Sequence, residues 1–185
     1  MHIIAGQFKG RKLEMPVDKD IRPTPGKVKE AIFSIVVHDL DEAVVIDLFA
    51  GTGSLGLEAL SRGAKKVYFG EKTKTGFDLI NRNIAATGAE NQCRLIRGDW
   101  EAVLTQIHEP ADIIFLDPPY EAGLMESCLN AIRQKNLLAT GGIIVSEHDA
   151  RQILPEVIGG FSIWKTRKYG NTSITLYIHS LEETS

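Results

Sequence analysis

From residue 43 onward the chain alternates two kinds of segment. Short, almost wholly apolar runs fall at 43–48, 67–69, 93–96, 113–116 and 143–145. Between them, at 55–61, 77–86, 100–107 and 124–138, apolar residues recur at helical spacing. An apolar run that does not alternate suits a strand buried on both faces, the situation of a parallel sheet covered by helices. The pattern therefore predicts an α/β fold built on an open, doubly wound sheet of five parallel-type strands. After residue 160 the period changes to two. Residues 161–169 and 172–179 alternate apolar and polar around Gly170-Asn171, which predicts an antiparallel hairpin closing one sheet edge.

The N-terminal part reads differently. Two short alternating runs, 2–5 and 11–15, are joined between Gly6 and Gly10 and predict a small β-hairpin. Pro16, Pro23 and Pro25 mark 16–25 as extended loop, after which Thr24 is expected to cap a helix that has Pro25 at its first position. Val28, Ala31, Ile32, Ile35 and Val36 give that helix an apolar face as far as His38. Net charge over the 185 residues is −3, but the first 29 carry seven Lys/Arg against three carboxylates, so the rest is distinctly acidic. Residues 1–25 thus form a basic arm, expected to lie outside the main sheet and to serve a polyanion rather than the core, and residues 26–185 form one domain.

Bulk properties narrow the classes further. A chain of this length with 43% hydrophobic and 24% charged residues supports one ordinary core. No apolar run reaches the roughly 20 residues of a membrane span, and the first residues lack a signal-peptide pattern. Cys93 and Cys128 are isolated and the five His are scattered, so neither a disulfide framework nor a metal site is expected. A cytoplasmic protein without metal or membrane partners is the resulting expectation.

The segment Asp47-Leu48-Phe49-Ala50-Gly51-Thr52-Gly53-Ser54-Leu55-Gly56 follows the first buried run and opens a helix. Gly51, Gly53 and Gly56 match G-x-G-x-x-G, and Glu71 ends the next run, which taken alone is a dinucleotide fingerprint with the carboxylate on ribose hydroxyls. Asp47 discriminates between ligands. A pyrophosphate favours the helix N-terminus, and a carboxylate at that strand mouth would repel it. S-adenosylmethionine brings a sulfonium and an ammonium instead, both attracted by a carboxylate. On this reading Asp47 faces the cationic end, Phe49 and the glycines admit the ligand, and Glu71 holds ribose. Asp99, followed by Trp100, either accepts from the adenine amine or caps the next helix.

After the fourth buried run comes Asp117-Pro118-Pro119-Tyr120. An exocyclic amine conjugated to a ring is a poor nucleophile. Two acceptors on its hydrogens, the Asp117 carboxylate and the Pro118 carbonyl, return electron density to nitrogen during alkyl transfer. Pro118 and Pro119 fix that carbonyl in advance, and Tyr120 offers a stacking face worth about 1–3 kcal/mol.

With these residues in place, the chain resembles the 16S rRNA guanine(966)-N2 methyltransferase family over nearly its full length. The resemblance rests on His2-Ile3-Ile4-Ala5-Gly6, Lys9-Gly10-Arg11, Arg22-Pro23-Thr24, the segment from Asp47 to Gly56, Asp117-Pro118-Pro119-Tyr120 and Tyr169-Gly170-Asn171-Thr172. It implies a Rossmann-like class I methyltransferase sheet, S-adenosylmethionine as methyl donor, and 16S rRNA within the small ribosomal subunit or an assembly intermediate as partner. It also implies RNA contacts from Lys9, Arg11, Lys12, Arg22, Thr24 and Lys27. Family members often carry arginine where this chain has Lys27 and Lys29, which keeps charge but loses the bidentate fork. Other readings of the same motifs are an amine methyltransferase for adenine or cytosine of DNA or for protein glutamine, a nicotinamide-dependent oxidoreductase, and a non-catalytic cofactor-binding scaffold.

Overall fold

A computed structural model describes residues 1–16, 24–119, 121 and 123–180. Its strands are β1 (Val44–Asp47), β2 (Lys66–Glu71), β3 (Cys93–Arg97), β4 (Ala111–Leu116), β5 (Leu138–Asp149), β6 (Val157–Ile158), β7 (Phe161–Tyr169) and β8 (Thr172–His179). The helices are α1 (Gly26–Ile35), α2 (Ser54–Ser61), α3 (Lys74–Thr87), α4 (Trp100–Thr105) and α5 (Leu124–Gln134). Among the described residues these strands form one sheet in the order β3-β2-β1-β4-β5-β8-β7-β6. The first five are mutually parallel and β8 and β7 run antiparallel, as the two periodicities require. Strand order reverses between β1 and β4, so the crevice beyond their C-terminal ends is where an open sheet receives a ligand.

Each face of the sheet has its own core. Val45, Val67, Phe69, Ile113, Phe115 and Val145 pack with α1, α2 and α3 on one side. Ile46, Tyr68, Ile114, Leu116 and Ile144 pack with α4 and α5 on the other. Alternate residues of one strand thus go to opposite layers, which explains why β1, β2 and β4 read as unbroken apolar runs. Asn136, at φ 52°, ends the turn after α5, so that helix stops at Gln134 and the chain enters β5 five residues earlier than the apolar run predicts.

The N-terminal segment departs from expectation. The hairpin reduces to one antiparallel bridge, His2 to Lys12, with Ile3 N donating to Arg11 O at 3.0 Å. Nor does it lie outside the body: Ile3 and Leu13 are buried in the same core as β1 and α2. Glu58 of α2, fully buried, accepts from Ile4 N at 2.9 Å and Ala5 N at 3.0 Å. The same carboxylate pairs with Lys29 of α1 at 3.1 Å and with Arg62 at 2.9 Å. Lys29 also donates to His2 O at 3.2 Å and has no exposure, so it is part of the interior and not of a basic surface. Helix α1 starts one residue later than predicted. Pro25 is its cap position, and the Thr24 hydroxyl, expected to cap, instead donates to Glu147 Oε2 at 2.7 Å.

Candidate active site

The loop between β1 and α2 turns on Gly51 and Gly53, at φ 58° and 77°, values a side chain rarely tolerates. Gly51 borders the cleft at the sheet's C-terminal edge. Gly56 has a different task, since a Cβ there would sit 2.3 Å from Phe69 Cε1. Its absence lets α2 lie flat on β2. Asp47 is almost fully buried beneath the loop, where Oδ2 accepts from Gly56 N at 3.1 Å. Burial pushes its carboxyl up to about 7, the Gly56 hydrogen bond opposing and the nearby Glu71 charge adding to the effect. Asp47, Gly53 and Gly56 therefore shape the loop from behind, and the cleft wall is made by other residues.

That cleft has a volume of about 710 Å³, within the ordinary range for small-molecule sites. Phe49, Gly51, Glu71, Asp99 and Trp100, all sequence-expected, line it. Glu71 Oε1 is held by Thr73 N at 2.8 Å and Thr73 Oγ1 at 2.7 Å. Asp99 Oδ1 caps α4 by accepting from Ala102 N at 2.9 Å, so the capping alternative is realised on a residue that also faces the cleft. Lys72 and Thr73 belong to the lining as well and were not anticipated. Their place directly after β2, at the strand's C-terminal end, is the signal that marks them.

A second cavity, of about 500 Å³, opens beside the first. Asp117, Pro118, Pro119 and Glu121 border both, so the segment after β4 is the partition between two chambers. The second chamber is completed by Pro25, Met125, Glu147, His148, Asp149, Gln152, Asn171 and Thr172. Burial together with the charges of Glu147 and Asp47 raises the Asp117 carboxyl well above the usual carboxylate range. Glu147 is raised too, by burial, against the Thr24 hydrogen bond. Tyr120 and Arg22 lie outside the described residues. Of the remaining residues expected to contact RNA, Lys9, Arg11, Lys12 and Lys27 are exposed, while Thr24 is buried against Glu147. Arg11 Nη1 also reaches Ala86 O at 3.3 Å.

A parallel sheet with a glycine loop at its switch point, two chambers and an antiparallel closing hairpin defines the Rossmann-like methyltransferase class. The chain belongs to the family described as conserved hypothetical protein 95, whose model matches residues 1–178. It is 33% identical over 177 residues to ribosomal RNA small subunit methyltransferase D of Escherichia coli K12, covering 96% of this chain and 89% of that protein. The Haemophilus influenzae protein of the same name is 34% identical over 185 residues, covering 96% and 93%. A solved Escherichia coli structure described as the methyltransferase yhhF superposes with a TM-score of 0.88 at 31% identity, covering 97% of this chain and 98% of that one. The family resemblance carried by the opening segment, the glycine loop and the tetrapeptide is borne out, as is the fold class.

Proposed function

We propose that the protein transfers a methyl group from S-adenosylmethionine to the N2 amine of a guanine in small-subunit 16S ribosomal RNA. The observation that carries this reading is the partition: Asp117, Pro118 and Pro119 border a nucleoside-sized cleft on one side and a second, base-sized chamber on the other. The names of the Escherichia coli and Haemophilus influenzae relatives support ribosomal RNA as the substrate class.

The larger cleft suits S-adenosylmethionine by its donor set. Two carboxylates, Glu71 and Asp99, suit ribose hydroxyls and an adenine amine, and Phe49 and Trp100 offer apolar faces to the ring. Lys72 is the one cationic side chain among the described lining residues, a poor match for a pyrophosphate. When bound, the cofactor supplies a methyl carbon activated by a sulfonium. Asp117 and the Pro118 carbonyl accept the hydrogens of the target amine and keep its lone pair on nitrogen, and Tyr120 supplies the stacking face. Most of the acceleration then comes from alignment, since no strong base is needed.

The arm of residues 1–25 carries the RNA docking function, with Lys9, Arg11, Lys12 and Arg22, joined by Lys27, contacting phosphates. Such contacts position a substrate without reading its sequence. The target base must be unpaired or flipped to enter, at a cost of a few kcal/mol. The protein acts in the cytoplasm on the small subunit or an assembly intermediate. The test is to incubate it with S-adenosylmethionine and small subunits, naked rRNA, a loop-sized oligonucleotide or duplex DNA, and map the methyl group. N2-methylguanine on the particle is the expected product. N6-methyladenine, or duplex DNA as best acceptor, would transfer the chain to the DNA-modifying reading.

A further inference from the structure

We propose that Glu147 selects guanine by accepting the N1–H hydrogen of the target base in the smaller chamber. The inference rests on the function proposed above and adds a specificity-determining residue to it. Glu147 lies near the C-terminal end of β5, beside the β4 end that delivers Asp117, and both side chains border the same chamber. Thr24 Oγ1 donates to Glu147 Oε2 at 2.7 Å and fixes the carboxylate, while among the described residues Oε1 accepts no hydrogen bond. Asp117 likewise has no hydrogen-bond partner among them.

Two adjacent acceptors with open lone pairs call for a ligand edge with two adjacent donors. On guanine the N2 amine is followed by N1–H, a donor beside a donor. On adenine the N6 amine is followed by N1, and on cytosine the N4 amine by N3, in each case a lone pair that a carboxylate repels. The mutual closeness of Asp117 and Glu147 is costly while both are bare, and two incoming N–H groups relieve it.

The two residues that follow Glu147 in the chamber wall are already engaged. His148 has both ring nitrogens engaged, Nδ1 with Asp149 O at 3.0 Å and Nε2 with Thr175 Oγ1 at 2.9 Å. Asp149 is held by Arg151 through Oδ1 at 2.9 Å and Oδ2 at 2.8 Å. Pro25 and Met125 contribute apolar surface for the flat of a ring.

The experiment uses the full chain and small-subunit RNA in which the mapped target is guanine or 2-aminopurine. The latter keeps the N2 amine but presents N1 as an acceptor. Wild type should prefer guanine by about 10–100-fold, the range of one good directional base contact. Glu147→Gln, whose amide can donate to N1, should bring that ratio close to one, and Glu147→Ala should lower guanine methylation without favouring either base. S-adenosylmethionine binding, which uses the other cleft, should stay within a few-fold of wild type and report that each variant is folded. Equal rates on the two bases by wild type would overturn the proposal with no variant needed. So would an unchanged ratio in a folded Glu147→Gln. A wild-type protein that methylates neither base would contradict the underlying function instead.

Discussion

Lys29 Nζ stands 3.1 Å from Glu58 Oε2 with both side chains out of water, and the same carboxylate receives the backbone N–H groups of Ile4 and Ala5. Burial alone would raise the Glu58 carboxyl, but the Ile4 hydrogen bond, the Lys29 charge and the hydrogen bonds from Lys29 and Arg62 together outweigh it and hold it lowered. A lowered folded-state value contributes stability above the ordinary carboxylate pH and loses it as pH falls. Glu58→Gln should cost about 3–5 kcal/mol, because it leaves Lys29 buried without its counter-charge. Urea denaturation should report that loss at neutral pH and a smaller difference from wild type in acid. Replacing both partners by apolar residues should not restore stability, since two backbone donors would remain unpaired. Removal of residues 1–15 should destabilise the whole domain too, because it takes hydrogen-bond partners from Glu58 and Lys29 and removes Ile3 and Leu13 from the core.

Asp47 gives the opposite pH sign. Its raised value means that stability is present below the ordinary Asp value and is lost as pH rises through about 7. Asp47→Asn keeps an acceptor for Gly56 N and removes the buried charge. The variant should be roughly 2–4 kcal/mol more stable than wild type at alkaline pH and little changed in mild acid. It should also bind S-adenosylmethionine more weakly, because an attractive charge behind the loop is gone. Thermal melts at two pH values and calorimetry check both halves.

Gly56→Ala places a methyl group against the Phe69 ring, where a Cβ would come within 2.3 Å. Overpacking of this kind costs about 1–3 kcal/mol. Since the displaced element carries the glycine loop, cofactor affinity should fall with stability, although residue 56 does not border the cleft. Calorimetry on a folded fraction distinguishes this from a simple loss of protein.

Much of this arrangement was legible in the sequence. Unbroken apolar runs marked β1 to β4 within about two residues, and Gly170-Asn171 marked the β7–β8 turn at the observed place. β5 was the exception, read as 143–145 although it spans Leu138–Asp149, because Thr140-Gly141-Gly142 looks like a turn and lies instead in an irregularity of the β4–β5 ladder, between the Ala111–Leu138 and Ile113–Ile143 pairs. Local pattern also failed wherever a polar side chain turns inward. Glu58, Lys29 and Thr24 have the composition of a helix surface or cap, and only the packing of α1, α2, β5 and residues 1–16 on one another gives them buried partners. The glycine loop and tetrapeptide were visible as contiguous motifs. The second chamber was not, since Pro25, Glu147 and Thr172 come from segments over a hundred residues apart in part.

The raised Asp117 carboxyl bears on rate. Burial, Glu147 and Asp47 favour its neutral form near neutrality, whereas accepting the amine hydrogens requires the ionised form. Single-turnover transfer should therefore rise with pH above the ordinary carboxylate value of about 4, continuing toward pH 8 or so. Guanine methylation that is flat from about pH 5 to pH 9, with the chemical step rate-limiting, would show that this ionisation has no part in transfer.

The most direct measurement compares cofactor binding and single-turnover transfer in Asp117→Ala, using small subunits as acceptor. Asp117 belongs to the partition between the two chambers and is assigned to the target amine rather than to the cofactor. S-adenosylmethionine affinity should stay within a few-fold of wild type while the transfer rate falls by about 100–1000-fold, the scale of losing one preorganised polar contact to reacting atoms. A transfer rate within a few-fold of wild type, with the cofactor bound, would contradict the account.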